Sequence, residues 1–302
     1  MSSSQDPTAD PLHVVNRAYQ DHARLWESFT YVYPVISRRS GGLSIGINLN
    51  INKACNYDCI YCCVDRSNEP ETIHVDIKQI HTELDELLQL VQTGKIWTFD
   101  KFKDVPANLR RLNDIAFSGD GEPTTFSGFG AVVRDVIELK QSHCFDQTKI
   151  VLITNATVLS RIAVQDALGE MMAHNGEIWA KLDAGTEAYY QLVNRTRVPL
   201  SRVLDNINQT AKLYPVIIQT MLMRVMGQPI PTAEFDTYID RITDLIQNGS
   251  DVKGVQLYSV ARSTAESYVE PVTDTFMDEC KARLNARLPK LPIEVYYGVP
   301  AS

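Results

Sequence analysis

From residue 43 onward, short apolar runs rich in β-branched residues alternate with longer stretches whose apolar positions recur at helical spacing. The runs cover 43–51, 114–117, 149–154, 177–183, 216–224 and 254–260. The helical stretches cover 76–92, 129–140, 158–173, 200–213, 233–247 and 274–288. This alternation is the signature of repeated βα units on a parallel sheet. Six such units, against the eight of a closed TIM barrel, predict an α/β fold with a partial, TIM-like (β/α)6 barrel.

The segment 94–113, rich in Lys, Arg and Asp, interrupts the rhythm as an insertion between the first helix and the second strand. Before the first run, Trp26, Phe29, Tyr31, Tyr33 and Pro34 form an aromatic region expected to pack on the barrel. The expected organisation is an N-terminal extension over 1–40, the barrel over 41–290 and a C-terminal tail over 291–302. Hydrophobic residues at 44% and charged residues at 22% suit a globular core. Residues 1–11 lack the basic start and apolar centre of a secretory signal, and no run reaches membrane-spanning length, so a cytoplasmic location is expected. With 37 acidic against 29 basic residues the net charge is −8, which disfavours a nucleic-acid partner without excluding a local basic patch.

Four of the six cysteines fall within nine residues, in Cys55-Asn56-Tyr57-Asp58-Cys59-Ile60-Tyr61-Cys62-Cys63, directly after the first predicted strand. In a βα barrel the loops after the strands form the face that carries chemistry. Three thiolates from Cys55, Cys59 and Cys62 can hold three irons of a 4Fe-4S cluster and leave the fourth open, whereas a purely structural or electron-transfer cluster takes four cysteines. A zinc or iron-sulfur site completed by Cys63, Cys144 or Cys280 is the competing reading. An open iron can bind the amino and carboxylate groups of S-adenosylmethionine (SAM) and pass an electron to its sulfonium. The C-x3-C-x2-C spacing, with aromatic Tyr61 before the last cysteine, resembles the radical SAM superfamily.

That resemblance implies further contacts. Ser118-Gly119-Asp120-Gly121-Glu122-Pro123-Thr124, after the second strand, looks like the segment that holds the SAM amino group, which assigns backbone contacts to Gly119, Asp120 and Gly121 and a polar or structural role to Glu122. Asn155 ends the third strand as a polar contact or a turn residue. Lys181 and Asp183 end the fourth, either as an internal salt bridge or as ligands of the SAM carboxylate and ribose. Tyr258 lies on the sixth strand, which in this superfamily helps to hold adenine. Arg195, Arg197 and Arg262 are candidates to clamp a substrate carboxylate or phosphate.

Ser37-Arg38-Arg39-Ser40-Gly41, Gly121-Glu122-Pro123-Thr124 and Leu182-Asp183-Ala184-Gly185 with Asn194-Arg195 resemble the wyosine-synthase-like Fe-S oxidoreductases, over about residues 35 to 271. The sequence has no second cysteine triad for a second cluster. The resemblance implies an enzyme that cleaves SAM reductively, with electrons from a flavodoxin or ferredoxin, and abstracts hydrogen from an unidentified substrate. A glycyl-radical activase of a partner protein, a tRNA base-modifying enzyme and a non-catalytic iron-sulfur or metal-binding redox sensor are the alternatives.

Overall fold

The computed structural model describes residues 26–66 and 74–298; the polar opening stretch, at residues 1–11, lies outside them. In chain order the strands are β1 (Val32–Ser37), β2 (Gly42–Ile47), β3 (Leu112–Phe117), β4 (Lys149–Thr154), β5 (Gly176–Lys181), β6 (Val216–Val225), β7 (Gln228–Pro229), β8 (Val252–Ser259), β9 (Val269–Pro271) and β10 (Ile293–Tyr296). The α-helices are α1 (Ile77–Gln92), α2 (Phe129–Ser142), α3 (Ile162–Met172), α4 (Glu187–Asn194), α5 (Leu200–Ala211), α6 (Thr232–Gln247) and α7 (Asp274–Arg287). Strands β2, β3, β4, β5, β6 and β8 pair in parallel in that order, and they are the six predicted βα units. The eight-strand path runs β1-β2-β3-β4-β5-β6-β8-β10 and curls into a half-barrel.

The helices bury one face each against the outside of this sheet, as their periodicity requires. Ile80, Leu84, Leu87 and Leu88 of α1 and Val132, Val133 and Val136 of α2 belong to a single large core. A second, small cluster of Ala116, Val151 and Trp179 lies apart from it, built from alternate residues of β3, β4 and β5.

Three segments carry structure that the sequence pattern left unassigned. The extension contributes β1, antiparallel to β2, with its start held by buried Glu83 of α1, which accepts from the amides of Thr30, Tyr31 and Val32 at 2.8–3.0 Å. The tail contributes β10, parallel to β8. The insertion over 94–113 forms two short 3-10 turns and the start of β3, and it buries Ile96, Phe102 and Val105. Trp26 meets Phe99 and Phe102 there at ring-centroid distances of 5.0 and 5.6 Å. Apolar side chains spaced among the charges, rather than a regular period, are what make this segment pack.

The half-barrel is open between β1 and β10, and side chains of the β1–β2 turn cross that gap. Arg38 donates to the Tyr297 carbonyl, and the Tyr296 hydroxyl donates to the Arg39 carbonyl at 3.2 Å. From Arg39 a hydrogen-bonded chain continues through Gln219 and Gln256 to Glu294. These contacts fill the base of the barrel, the end at which β2 begins.

Candidate active site

At the opposite end, Cys55, Cys59 and Cys62 line one cavity with Tyr61, Gly119, Gly121, Glu122, Asn155, Lys181, Tyr258 and Arg262. The loop that carries the cysteines is held by backbone and side chain. The amides of Asp58 and Ile60 donate to the carbonyls of Asn194 and Val193 at the C-terminal end of α4, at 3.1 and 3.0 Å. Those are helix-end acceptors without intrahelical partners, so the short helix and the loop satisfy each other. Tyr57 pairs its hydroxyl with that of Tyr190 at 2.6 Å, Asn56 bonds Thr157 at 2.6 Å, and the Thr196 hydroxyl donates to the Asn56 carbonyl at 2.8 Å.

All three thiols are free, and burial pushes Cys59 up to about 12 against the opposing influence of Lys181 and Asn194. Cys62 accepts from Arg66 Nη1 at 2.7 Å, and Cys59 lies 3.4 Å from Asn194 Nδ2. Cys63 is exposed at the cavity mouth, while Cys144 and Cys280 do not line the cavity. Neither of those two can complete a site with the triad. Among the described residues no group of three His, Cys, Asp or Glu converges on a single metal ion. Three free thiols ringing a cavity fit the donor set of a multi-iron cluster with one iron left open.

The Gly119–Glu122 turn packs directly under the cysteine loop. A Cβ on Gly121 would collide with the Ala54 carbonyl, and one on Gly119 would collide with Asn48. Asp120 pairs twice with Asn48, through Asn48 Nδ2 at 2.6 Å and its own amide to Asn48 Oδ1 at 3.1 Å. Glu122 is buried and accepts from Thr124, from Thr154 Oγ1 at 2.7 Å and from the Asn155 amide at 2.6 Å, bolting the turn to the end of β4. Burial pushes its carboxyl up while these donors hold it down. Asn155 in turn donates to Asn56 at 2.7 Å.

Lys181 and Asp183 part company. Lys181 lines the cavity with its ammonium 5.6 Å from the Tyr61 ring, and it makes no hydrogen bond among the described residues. Burial disfavours its charge, but Tyr258, Cys59 and Asp183 outweigh that and raise its pKa. Asp183 lies behind the wall, where it accepts from the Tyr61 hydroxyl, from Asn194 Nδ2 at 3.1 Å and from the Met221 amide at 2.8 Å. It neither pairs with Lys181 nor faces the cavity, because β5 ends at Lys181 and strand alternation stops there. Its structural effect is to fix Tyr61 and thereby Cys62.

Of the three predicted arginines, Arg262 lines the cavity. Arg195, in the left-handed region at φ 46°, ends α4 and pairs with Glu266 at 2.6 Å and Asp58 at 3.6 Å on the surface. Arg197 is exposed and away from the cavity. Sequence reasoning missed Arg66, Arg39, Asp114 and Trp179, all in the lining. Arg66 follows Cys62 by four residues, the distance of a local contact, which is the one signal that could have found it.

No family model and no curated protein sequence matches the chain. Solved structures do. SuiB of Streptococcus suis bound to S-adenosylmethionine is 12% identical over 80% of this chain and 48% of its own, with a TM-score of 0.55. SuiB bound to the precursor peptide SuiA gives 13%, 80%, 46% and 0.55. TYW1 with a lysine-pyruvate adduct bound is 16% identical over 80% of this chain and 73% of that one, with a TM-score of 0.49. The chain thus spans a little under half of SuiB and about three quarters of TYW1. Identities this low speak to fold alone: the chain shares its half-barrel fold with SuiB.

Proposed function

We propose that the protein is a radical SAM enzyme that holds a 4Fe-4S cluster through Cys55, Cys59 and Cys62 and cleaves SAM reductively. The observation that carries this reading is the meeting of three free thiols around one cavity at the C-terminal end of the parallel strands of the half-barrel. When bound, the cluster and SAM would supply one-electron cleavage to a 5'-deoxyadenosyl radical, which abstracts hydrogen from substrate.

The chain's own residues would bind and orient. Lys181, a cation without a hydrogen-bond partner among the described residues, is placed to take the SAM carboxylate. Gly119 and Gly121 line the same space, offering backbone groups to a ligand from a turn that packs tightly on Asn48 and the Ala54 carbonyl. Tyr258 supplies an aromatic wall for adenine. Glu122, Asn155 and Asp183 keep the cysteine loop, the glycine turn and Tyr61 in register rather than touching ligand. Electrons would come from a reductant of the flavodoxin or ferredoxin class.

Anaerobic reconstitution with iron and sulfide, followed by dithionite and SAM, tests the reading by the appearance of 5'-deoxyadenosine. Wild type and Cys63→Ala should form it, and Cys59→Ala should not. A chain that takes up the cluster yet leaves SAM intact would be a metal-binding or redox-sensing protein instead.

A further inference from the structure

Below the cysteines the cavity carries charge that SAM binding does not use. Arg39, from the β1–β2 turn, lies over the rings of Trp179 and Tyr258 at 5.6 and 5.3 Å from their centroids. Its Nη1 donates to Gln219 Oε1 at 3.2 Å, and among the described residues its guanidinium makes no other hydrogen bond. A guanidinium has five N–H donors in a fixed fork, so most of this one's capacity is unused on a residue that lines the cavity. Asp114 of β3 is buried in the same lining and accepts from Ser44. Burial lowers the pKa of Arg39 and raises that of Asp114, each charge opposing that effect in the other, yet they form no ion pair among the described residues.

Two opposite charges that face one cavity without closing on each other suit a ligand with a group for each. We propose that this half of the cavity is a substrate subsite for a small amino- or hydroxy-carboxylate, its carboxylate on Arg39 and its amino or hydroxyl group on Asp114. This deepens the function proposed above and rests on it for the chemistry at the cysteine end. The sign of the lining agrees: Arg39, Arg66, Lys181 and Arg262 outnumber Asp114 and Glu122 in a protein of net charge −8. With Arg66 engaged at Cys62 and Lys181 assigned to SAM, Arg39 and Arg262 are left for a second anion. A planar carboxylate matches the guanidinium fork, whereas a phosphate dianion would be set against the Asp114 carboxylate.

The span also fits. Trp179 and Lys181 are two residues apart on β5, about 7 Å along a strand. A ligand anchored beside Trp179 therefore needs only a few bonds to bring a C–H to the level of Lys181 and the cysteines.

The test is saturation-transfer NMR on the reconstituted full-length protein with SAM. The probes are glycine, alanine, serine, aspartate, glycolate, lactate, malate and acetate, each against its primary amide, with glycerol 3-phosphate and inorganic phosphate alongside. At least one carboxylate should bind while its amide does not, and Arg39→Gln should weaken it by about ten- to a hundred-fold, the cost of one charged hydrogen bond. Asp114→Asn keeps the shape and should erase the preference for amino- or hydroxy-acids over plain acetate, even if the Arg39 variant fails to fold. Failure of every carboxylate to bind, tighter binding of the phosphates, or unchanged affinity in a folded Arg39→Gln would each overturn the proposal. Carboxylate binding by a chain that never cleaves SAM would sink the radical SAM reading and leave the subsite standing; SAM cleavage without carboxylate binding would do the reverse.

Discussion

Arg66 donates to three acceptors on three pieces of chain: Cys62 Sγ at 2.7 Å, the Lys53 carbonyl at 3.1 Å and the Asp120 carbonyl at 2.6 Å. Hydrogen bonds to cluster sulfurs stabilise the reduced, more negative state, so they raise the reduction potential. Arg66→Ala should therefore bind iron like wild type but lower the cluster's midpoint potential by on the order of 50 mV, one charge-assisted contact in a one-electron couple. An EPR-monitored redox titration checks this, and an unchanged potential would leave Arg66 a purely mechanical brace. At this scale the cysteines were legible because ligand chemistry demands a residue type at a local spacing. Arg39, Asn194 and Asp114 carry no such mark, since their partners arrive from distant chain. The i, i+2 spacing of Lys181 and Asp183 implies a shared strand face, with a salt bridge or ligand contacts as its use, but Asp183 lies past the end of β5 and makes neither.

Helix α4 shows what an element contributes. Its eight residues are too few for periodicity to reveal, and the sequence pattern predicts no element between the fourth run and the stretch 200–213. Yet its last carbonyls hold the cysteine loop, and its own start is held from α6, where buried Glu234 accepts from Gly185 N at 2.6 Å, Thr186 N at 3.0 Å and Thr186 Oγ1 at 2.6 Å. Gly185 is glycine because a Cβ there would collide with the backbone of Tyr238 on α6. Removing the acceptor leaves buried donors unpaired at a cost of about 1.5–3 kcal/mol. Glu234→Ala should thus lose amide protection not only in α4 but in residues 56–62, measured by hydrogen-exchange mass spectrometry. Loss confined to α4 would mean that the loop holds itself. The main βα units were legible because each buries an amphipathic helix on an apolar strand, whereas β1 runs into β2 with no helix between them and β10 has only four residues.

Across the whole molecule, burial sets how stability responds to alkali. Cys59 and Cys280 are pushed from 9.0 up to about 12 and Tyr258 from 10.0 up to about 12, each chiefly by desolvation. A neutral acid with a raised folded pKa keeps its proton more tightly than the unfolded chain does. Its contribution is therefore complete below pH 9 and is lost as the pH climbs towards 12, at up to about 1.4 kcal/mol per pH unit for each group. Urea midpoints of the cluster-free protein should fall between pH 9 and 11, and Cys280→Ala should fall less steeply. The same whole-molecule view explains why the barrel's base was invisible in the sequence: the chain from Arg39 to Glu294 joins residues 255 positions apart. That filled base carries a kinetic consequence. With the base filled by Arg39, Gln219, Gln256 and Glu294, the remaining routes to Arg39 run past the cysteines and through the gap between β1 and β10, where Arg39 lines a second cavity with Cys63 and Arg262. Substrate would then exchange through that gap without waiting for SAM, so turnover would follow no compulsory order.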